Sequence, residues 1–256
     1  MPVLFVGHGS PSNALADNEF TRGFRALATS LPRPKAILAI SAHWFVDATL
    51  VTSDTKPRTI HDFSGFPSEL YGIEYPASGS IELAERTRDL IGGGRVKLSG
   101  DWGLDHGTWS VLKWIYPVAD VPVVQLSMDA RLSPEGHLAL AGSLSPLREE
   151  RVLIFCSGNV THSLGAAFRQ MRTGDQSVPG WSARFDRVVQ ETLLRGDARS
   201  LLGLWPGAED ARLCHPTPDH WLPLIYAMGV RSAGDRVRFP IEGFDFGLSM
   251  RSVLFG

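Results

Sequence analysis

Two apolar runs in this chain stop at a histidine. "VLFVGHGSP" (3–11) delivers His8 between two glycines, and "AILAISAHWF" (36–45) delivers His43 behind two small residues. A third run, Val152–Ser157, is followed by "GNVTHSL", which supplies His162, and a fourth histidine, His220, closes "HPTPDH" (215–220). Several imidazoles with no accompanying thiolates suit zinc, iron, copper or nickel, and their spacing does not choose among these metals. With Thr217 as N-cap and Pro218 as the first helical residue, His220 falls at N3. There the positive end of the helix dipole favours neutral imidazole, the form that binds a metal. The same position could instead serve as a capping-box partner.

The other histidines have weaker claims. His106 sits in "WGLDHGTW", read as a loop with two glycines and two tryptophans shaped around something flat, and His61 lies in the similar stretch "IHDFSGFP". His215 precedes the expected cap and fixes that turn; His137, mid-helix, reads as surface or structural. Cys156 at a strand end reads as an inert core residue. There is no H-E-x-x-H, P-loop, G-x-G-x-x-G or G-x-S-x-G motif, which argues against zincin proteases, the common nucleotide enzymes and serine hydrolases, and leaves Ser157 a poor nucleophile.

The elements that must position these residues alternate. Strands are expected at Val3–Val6, Ala36–Ser41, Thr49–Thr52, Arg95–Leu98, Val121–Ser127, Val152–Ser157, Val237–Pro240 and Leu248–Leu254, mostly apolar on both faces as in helix-covered sheets. Helices are expected at Ile81–Ile91 (between Ser80 and Gly92–Gly94), Ser133–Glu150, Trp181–Leu194 and Pro218–Met228, the last stopped by Gly229. This pattern predicts an α/β fold: a single domain over residues 1–256, with a central mixed, largely parallel sheet flanked by helices and an antiparallel pair at the end of the chain around "EGFDFG". In open α/β sheets, ligands bind beyond the carboxyl ends of the strands, where His8, His43 and His162 are expected.

Composition narrows the function class. A net charge of −2 gives no basic field for nucleic acid. Two cysteines without C-x-x-C spacing argue against a disulfide framework or thiolate zinc site and fit a reducing compartment. No apolar run approaches the ~20 residues of a membrane helix, and the N-terminus lacks a signal-peptide pattern, so the reading is a soluble, cytoplasmic protein with no membrane or nucleic-acid partner. The oligomeric state stays open.

Seven motifs, "GHGSP" (7–11), "SAHW" (41–44), "HDFSGFP" (61–67), "YPASG" (75–79), "WGLDHGTW" (102–109), "SGNVTHSL" (157–164) and "HPTPDH" (215–220), occur in the order seen in DODA-type extradiol dioxygenases, a branch of the class III extradiol enzymes related to protocatechuate 4,5-dioxygenase. The chain resembles that family over nearly its whole length. The resemblance implies one non-haem Fe(II) on His8, His43 and His220, with His162 as acid/base, or as a fourth ligand where zinc replaces iron. It implies a small aromatic diol and O2 as substrates and a muconic semialdehyde as product. His106 would then hydrogen-bond a substrate oxygen as a second catalytic group, while His61, Phe63 and Trp109 would shape the pocket around a flat ring. Two departures, Cys214 where the branch usually has alanine and Asp219 where glutamate is common, leave the expected ligands intact, though Cys214 would make the site more sensitive to oxidation. The alternatives are a tetrapyrrole metal chelatase, whose members can also open on "GHGS", and a non-catalytic zinc- or ligand-binding protein on the same fold.

Overall fold

The structure, a computed structural model, describes residues 1–92 and 94–256, so Gly93 of the expected helix-stopping glycine run lies outside the described residues. Among the described residues ten strands form: β1 (Val3–Gly7), β2 (Ala36–Val46), β3 (Thr49–Thr52), β4 (Val96–Ser99), β5 (Val123–Asp129), β6 (Val152–Gly158), β7 (Val237–Ile241), β8 (Phe244–Asp245), β9 (Leu248–Ser249) and β10 (Ser252–Phe255). Eight build one sheet in the order β4-β3-β5-β2-β6-β1-β10-β7. Its centre, β5-β2-β6-β1, is parallel, and the neighbours β3 and β10 run antiparallel to it.

The central strands are apolar over most of their length because both faces are covered. Val3, Phe5, Leu38, Ile40, Ile154 and Cys156 join one core with the helices Ile81–Ile91, Gly180–Arg195 and Leu222–Val230. Leu4, Val6, Ile37, Ala39, Leu153 and Phe155 join the other, against the helices Glu19–Ser30 and His106–Ile115. The result is the three-layered α/β arrangement expected of strands buried on both faces.

Several expected boundaries move, each for a local reason. The segment Ser133–Glu150 is two helices, Pro134–Gly142 and Pro146–Glu149, since Pro146 has no N–H to continue the first. The last helix is Leu222–Val230 rather than Pro218–Met228. Pro218 instead accepts from the N–H groups of Trp221 and Leu222 in a turn, and Pro223 occupies the first helical turn. Gly229 therefore lies inside this helix and permits close approach to Ala141 and Leu138 rather than ending it. The single terminal strand Leu248–Leu254 divides in two: β9 pairs with β8 across a tight turn at Phe246 and Gly247, both at positive φ, whereas β10 joins the main sheet. His137 is buried rather than on the surface, its Nδ1 3.0 Å from the Tyr226 hydroxyl.

The two glycines flanking His8 make room for another part of the chain. A Cβ on Gly7 would lie 2.8 Å from the backbone of Met250, and Gly9 takes φ +66° in a left-handed turn that passes over the Met250 side chain. They let the segment after β9 pack directly on the end of β1.

Candidate metal centre

The ends of β1, β2 and β6 meet at one point. Gly7 is in register with Gly158, and Ser41 with Ser157. The His8 N–H donates to the Gly158 carbonyl at 3.0 Å, and the Asn159 N–H donates to the His220 carbonyl at 3.1 Å. The end of β6 thus fixes the backbone on both sides of the site. His43 does not stand beyond its strand but within it, since β2 continues to Val46 past an irregularity between Ile40 and Phe45. His220 lies in the turn ahead of the last helix, two residues before its first helical residue, so neither the N3 placement nor its dipole argument applies.

These supports bring His8, His43 and His220 together from three distant parts of the chain. Their ring centroids form a nearly equilateral triangle with sides of 5.0, 5.0 and 5.2 Å. One nitrogen from each lies within 4.8 Å of the other two. The tautomers follow from the partners. Ser157 Oγ donates to the Gly107 carbonyl at 2.5 Å, so it can only accept from His8 Nδ1, 2.9 Å away. His43 Nδ1 lies 3.2 Å from Asp62 Oδ2, and His220 Nδ1 is hydrogen-bonded to Asp219 Oδ2. These partners place the proton of His8 and of His220 on Nδ1 and leave a lone pair on Nε2, and the carboxylate beside His43 Nδ1 favours the same tautomer there.

That arrangement fits a divalent metal. His220 Nε2 is buried with no hydrogen-bond partner among the described residues. His8 and His43 face each other through their Nε2 atoms at 3.2 Å, lone pair to lone pair. This is the separation two nitrogens take on one ion with bonds of about 2.1 Å set at about 100°. All three imidazoles are held well below the usual histidine range, first by burial. Repulsion from neighbouring histidines adds to this for each, and Asp62 partly opposes it at His43. Neutral imidazoles with converging lone pairs are what a borderline metal binds, and the acceptors behind their Nδ1 atoms are the outer partners such sites use to orient the ligands.

Two further histidines flank the triangle. The His162 ring stacks on that of His220, centroids 3.3 Å apart and planes 5° apart, and the backbone N–H of His162 donates to the Cys214 carbonyl at 2.8 Å. Burial and repulsion from His215 bring it down to about 4, against an opposing pull from Asp219. The His106 ring lies 3.9 Å from that of His43. Rather than sitting in a loop, His106 is the first residue of the helix His106–Ile115, whose first turn is capped by the Asp105 side chain accepting from the Thr108 N–H.

An aromatic wall stands behind His106. Phe63 lies 5.5 Å from its ring, and His61, Phe66 and Tyr71 surround Phe63 at 5.2 to 5.8 Å. Trp109, fully buried, underlies His61 and donates its indole N–H to the Ile60 carbonyl, so it backs this wall from the core. His215 donates Nε2–H to the Val160 carbonyl at 2.7 Å and holds the turn, outside the triangle. Cys214 is fully buried and burial pushes its thiol up, which opposes the oxidation sensitivity expected of it.

Sequence reasoning missed the residues behind the histidines. Asp62, Asp105, Ser41, Ser157 and Gln125 form a buried polar floor, in which Asp105 accepts from Ser41 Oγ at 2.7 Å and Gln125 Nε2 at 2.6 Å. Burial and the nearby Asp62 charge raise the Asp105 carboxyl to about 6, against those donors. Burial also acts to raise Asp62, but contact with His106 and His43 outweighs it and holds that carboxyl at about 2. The available signal was the pairing of carboxylate and imidazole in "HD" (61–62), "DH" (105–106) and "DH" (219–220).

Comparison with known proteins decides the family. The family described as the catalytic LigB subunit of aromatic ring-opening dioxygenase matches residues 2–246. The chain belongs to this LigB family. It is 43% identical to a 4,5-DOPA dioxygenase extradiol of Escherichia coli K12, over all of this chain and 95% of that one. It is 37% identical to the protein of the same name from Beta vulgaris, over 96% and 92% of the two chains. A crystal structure titled as an uncharacterized protein from Escherichia coli K12 covers the whole of both chains at TM-score 0.86 and 38% identity. Among the described residues, no helix of this LigB chain is long and apolar enough to cross a membrane.

Proposed function

We propose that this LigB-family chain is an extradiol dioxygenase that opens the ring of a DOPA-like catechol, using O2, to a muconic semialdehyde. The observation that carries the reading is the convergence of three Nε2 lone pairs, one of them buried without a partner, beside two more histidines and an aromatic wall. The relatives named as extradiol dioxygenases support the same class of reaction.

His8, His43 and His220 would hold the metal, with Fe(II) the active ion and Zn(II) able to take its place. Fe(II) held by these three residues would supply a divalent charge that favours the ionised diol oxygen and would bring the diol and O2 together. His162 would be the acid/base: as a neutral ring it would accept the proton of a substrate hydroxyl and give it back to the product. Its stack on His220 keeps it at the edge of the ligand triangle, and with zinc it would turn to become a fourth ligand. His106 hydrogen-bonds a substrate oxygen, while Phe63 and His61, backed by Trp109, confine the flat ring and keep water from it.

The test is reconstitution of metal-free protein with Fe(II) under argon, followed by a panel of catechols and oxygen, with the Zn(II) protein as control. Stoichiometric oxygen uptake with a yellow, pH-dependent chromophore, seen with iron only, is the expected result. Tight metal binding with no uptake from any catechol would overturn the reading and favour a non-catalytic metal-binding protein.

A further inference from the structure

Asp62 is not one of the three converging imidazoles, yet it touches two of the histidines at the site. Its Oδ1 accepts from the backbone N–H of His106 at 2.9 Å and lies 3.0 Å from Nδ1 of the same residue. Its Oδ2 lies 3.2 Å from His43 Nδ1. Neither ring contact is in line, and Asp62 Oδ2 and His106 Nδ1 have no other hydrogen-bond partner among the described residues. A lone pair on either Nδ1 would face a carboxylate oxygen in a buried setting, which is repulsive. A proton on both replaces that repulsion with two bent but attractive N–H to carboxylate contacts.

We infer that Asp62 is a positioning residue that holds His43 and His106 as Nδ1–H tautomers together, through its two oxygens. His43 is thereby left with its Nε2 lone pair for the metal, and His106 with an Nε2 that accepts from a substrate hydroxyl. One carboxylate ties metal affinity to substrate recognition. The inference rests on the reading that His8, His43 and His220 hold a metal.

The backbone contact makes the isosteric substitution informative. In Asp62→Asn, the amide oxygen must stay at the Oδ1 position, because the His106 backbone N–H only donates. The amide NH2 then faces His43 Nδ1 and demands a lone pair there. That pushes the His43 proton onto Nε2, the metal-facing nitrogen, and leaves His106 as before. Asp62→Ala, by contrast, releases both rings.

Zn(II) affinity is measured by competition with a chromophoric chelator. Catechol affinity is measured under argon on protein saturated with Zn(II), and thermal unfolding of the metal-free forms checks the fold. Asp62→Asn is expected to weaken Zn(II) binding about 10–100-fold and to leave catechol binding within about threefold of the parent. Asp62→Ala is expected to weaken both, each by about tenfold or more. Unchanged Zn(II) affinity in Asp62→Asn would overturn the inference. So would equal losses of zinc and catechol affinity in that variant, which mark a merely structural role. A parent protein that itself fails to bind Zn(II) would overturn the metal reading beneath it, an outcome distinct from both.

Discussion

Gly158 ends β6 where His8 and His220 are fixed, and a single methyl group there tests the whole geometry. Its φ is not in the left-handed region, so alanine brings no backbone penalty. The added Cβ would instead meet the His220 carbonyl oxygen at 2.4 Å, with the carbonyl carbon and Pro223 Cγ both at 3.2 Å. Real contacts of this kind essentially stop at 3.0 Å, so the His220 carbonyl must retreat by roughly 0.6 Å. Metal sites hold their ligand distances to about 0.2 Å, so the shift is about three times what coordination tolerates. The strain of the inserted methyl adds about 1–3 kcal/mol of destabilisation, on the scale of other overpacked cores. Gly158→Ala should therefore lower Zn(II) affinity by about tenfold or more, and lower the Tm of the metal-free protein by about 2–4 °C per kcal/mol lost. Chelator competition and calorimetry read the two effects. Gly203→Ala, where a Cβ meets nothing within 4 Å, is the control and should leave zinc affinity unchanged. A Gly158→Ala protein that binds zinc within threefold of the parent would refute the placement of His220 in the metal triangle.

Three other outcomes follow from the same geometry. Ser157→Ala removes the acceptor of His8 Nδ1 and the donor to Gly107, so metal-free protein should lose about 1–3 kcal/mol in urea unfolding and zinc affinity should fall; an unchanged zinc affinity would show that Ser157 does not orient His8. His162→Ala should keep the metal and lose most ring-cleavage turnover, whereas His8→Ala should lose the metal; parental turnover in the first would remove His162 as the acid/base. Burial brings His137 and His215 to about 4, so the unfolded chain binds more protons between pH 4 and 6.5, and stability rises with pH across that window and is fully present above it. His137→Gln, able to keep a hydrogen bond to Tyr226, should flatten that rise by an amount on the order of 3 kcal/mol; an unchanged slope in urea unfolding from pH 4 to 7 would show that His137 is not held neutral.

Sequence periodicity read the central strands well because helices cover both faces, which makes β1, β2 and β6 uninterrupted apolar runs. It read the reach of β2 poorly. His43 and Trp44 continue the strand past Ser41, and a histidine behind two small residues does not look like strand interior. The placement of His220 failed for another reason. "TPDH" carries every local sign of a helix start, yet the turn that accepts on the Pro218 carbonyl delays the helix to Leu222. His106 erred in the opposite direction, since the glycine at 107 suggested a loop where Asp105 caps a helix. The histidines themselves were legible because imidazole is chemically distinctive. Asp62 and Ser157 were not, because nothing in their local sequence reveals which nitrogen they will face across the sheet.

The three converging imidazoles belong to residues 8, 43 and 220, so most of the chain separates the last from the first two. An ion held by all three would be a cross-link closing two long loops, one carrying the helix Glu19–Ser30 and one running through every layer of the protein. Chain in which β6 has not yet brought these segments together offers only isolated histidines and competes poorly for the ion. Metal affinity is then a property of the completed fold, and binding draws the population toward it by mass action. In a preparation of this protein, the tightly held metal per chain would count the molecules that have finished folding.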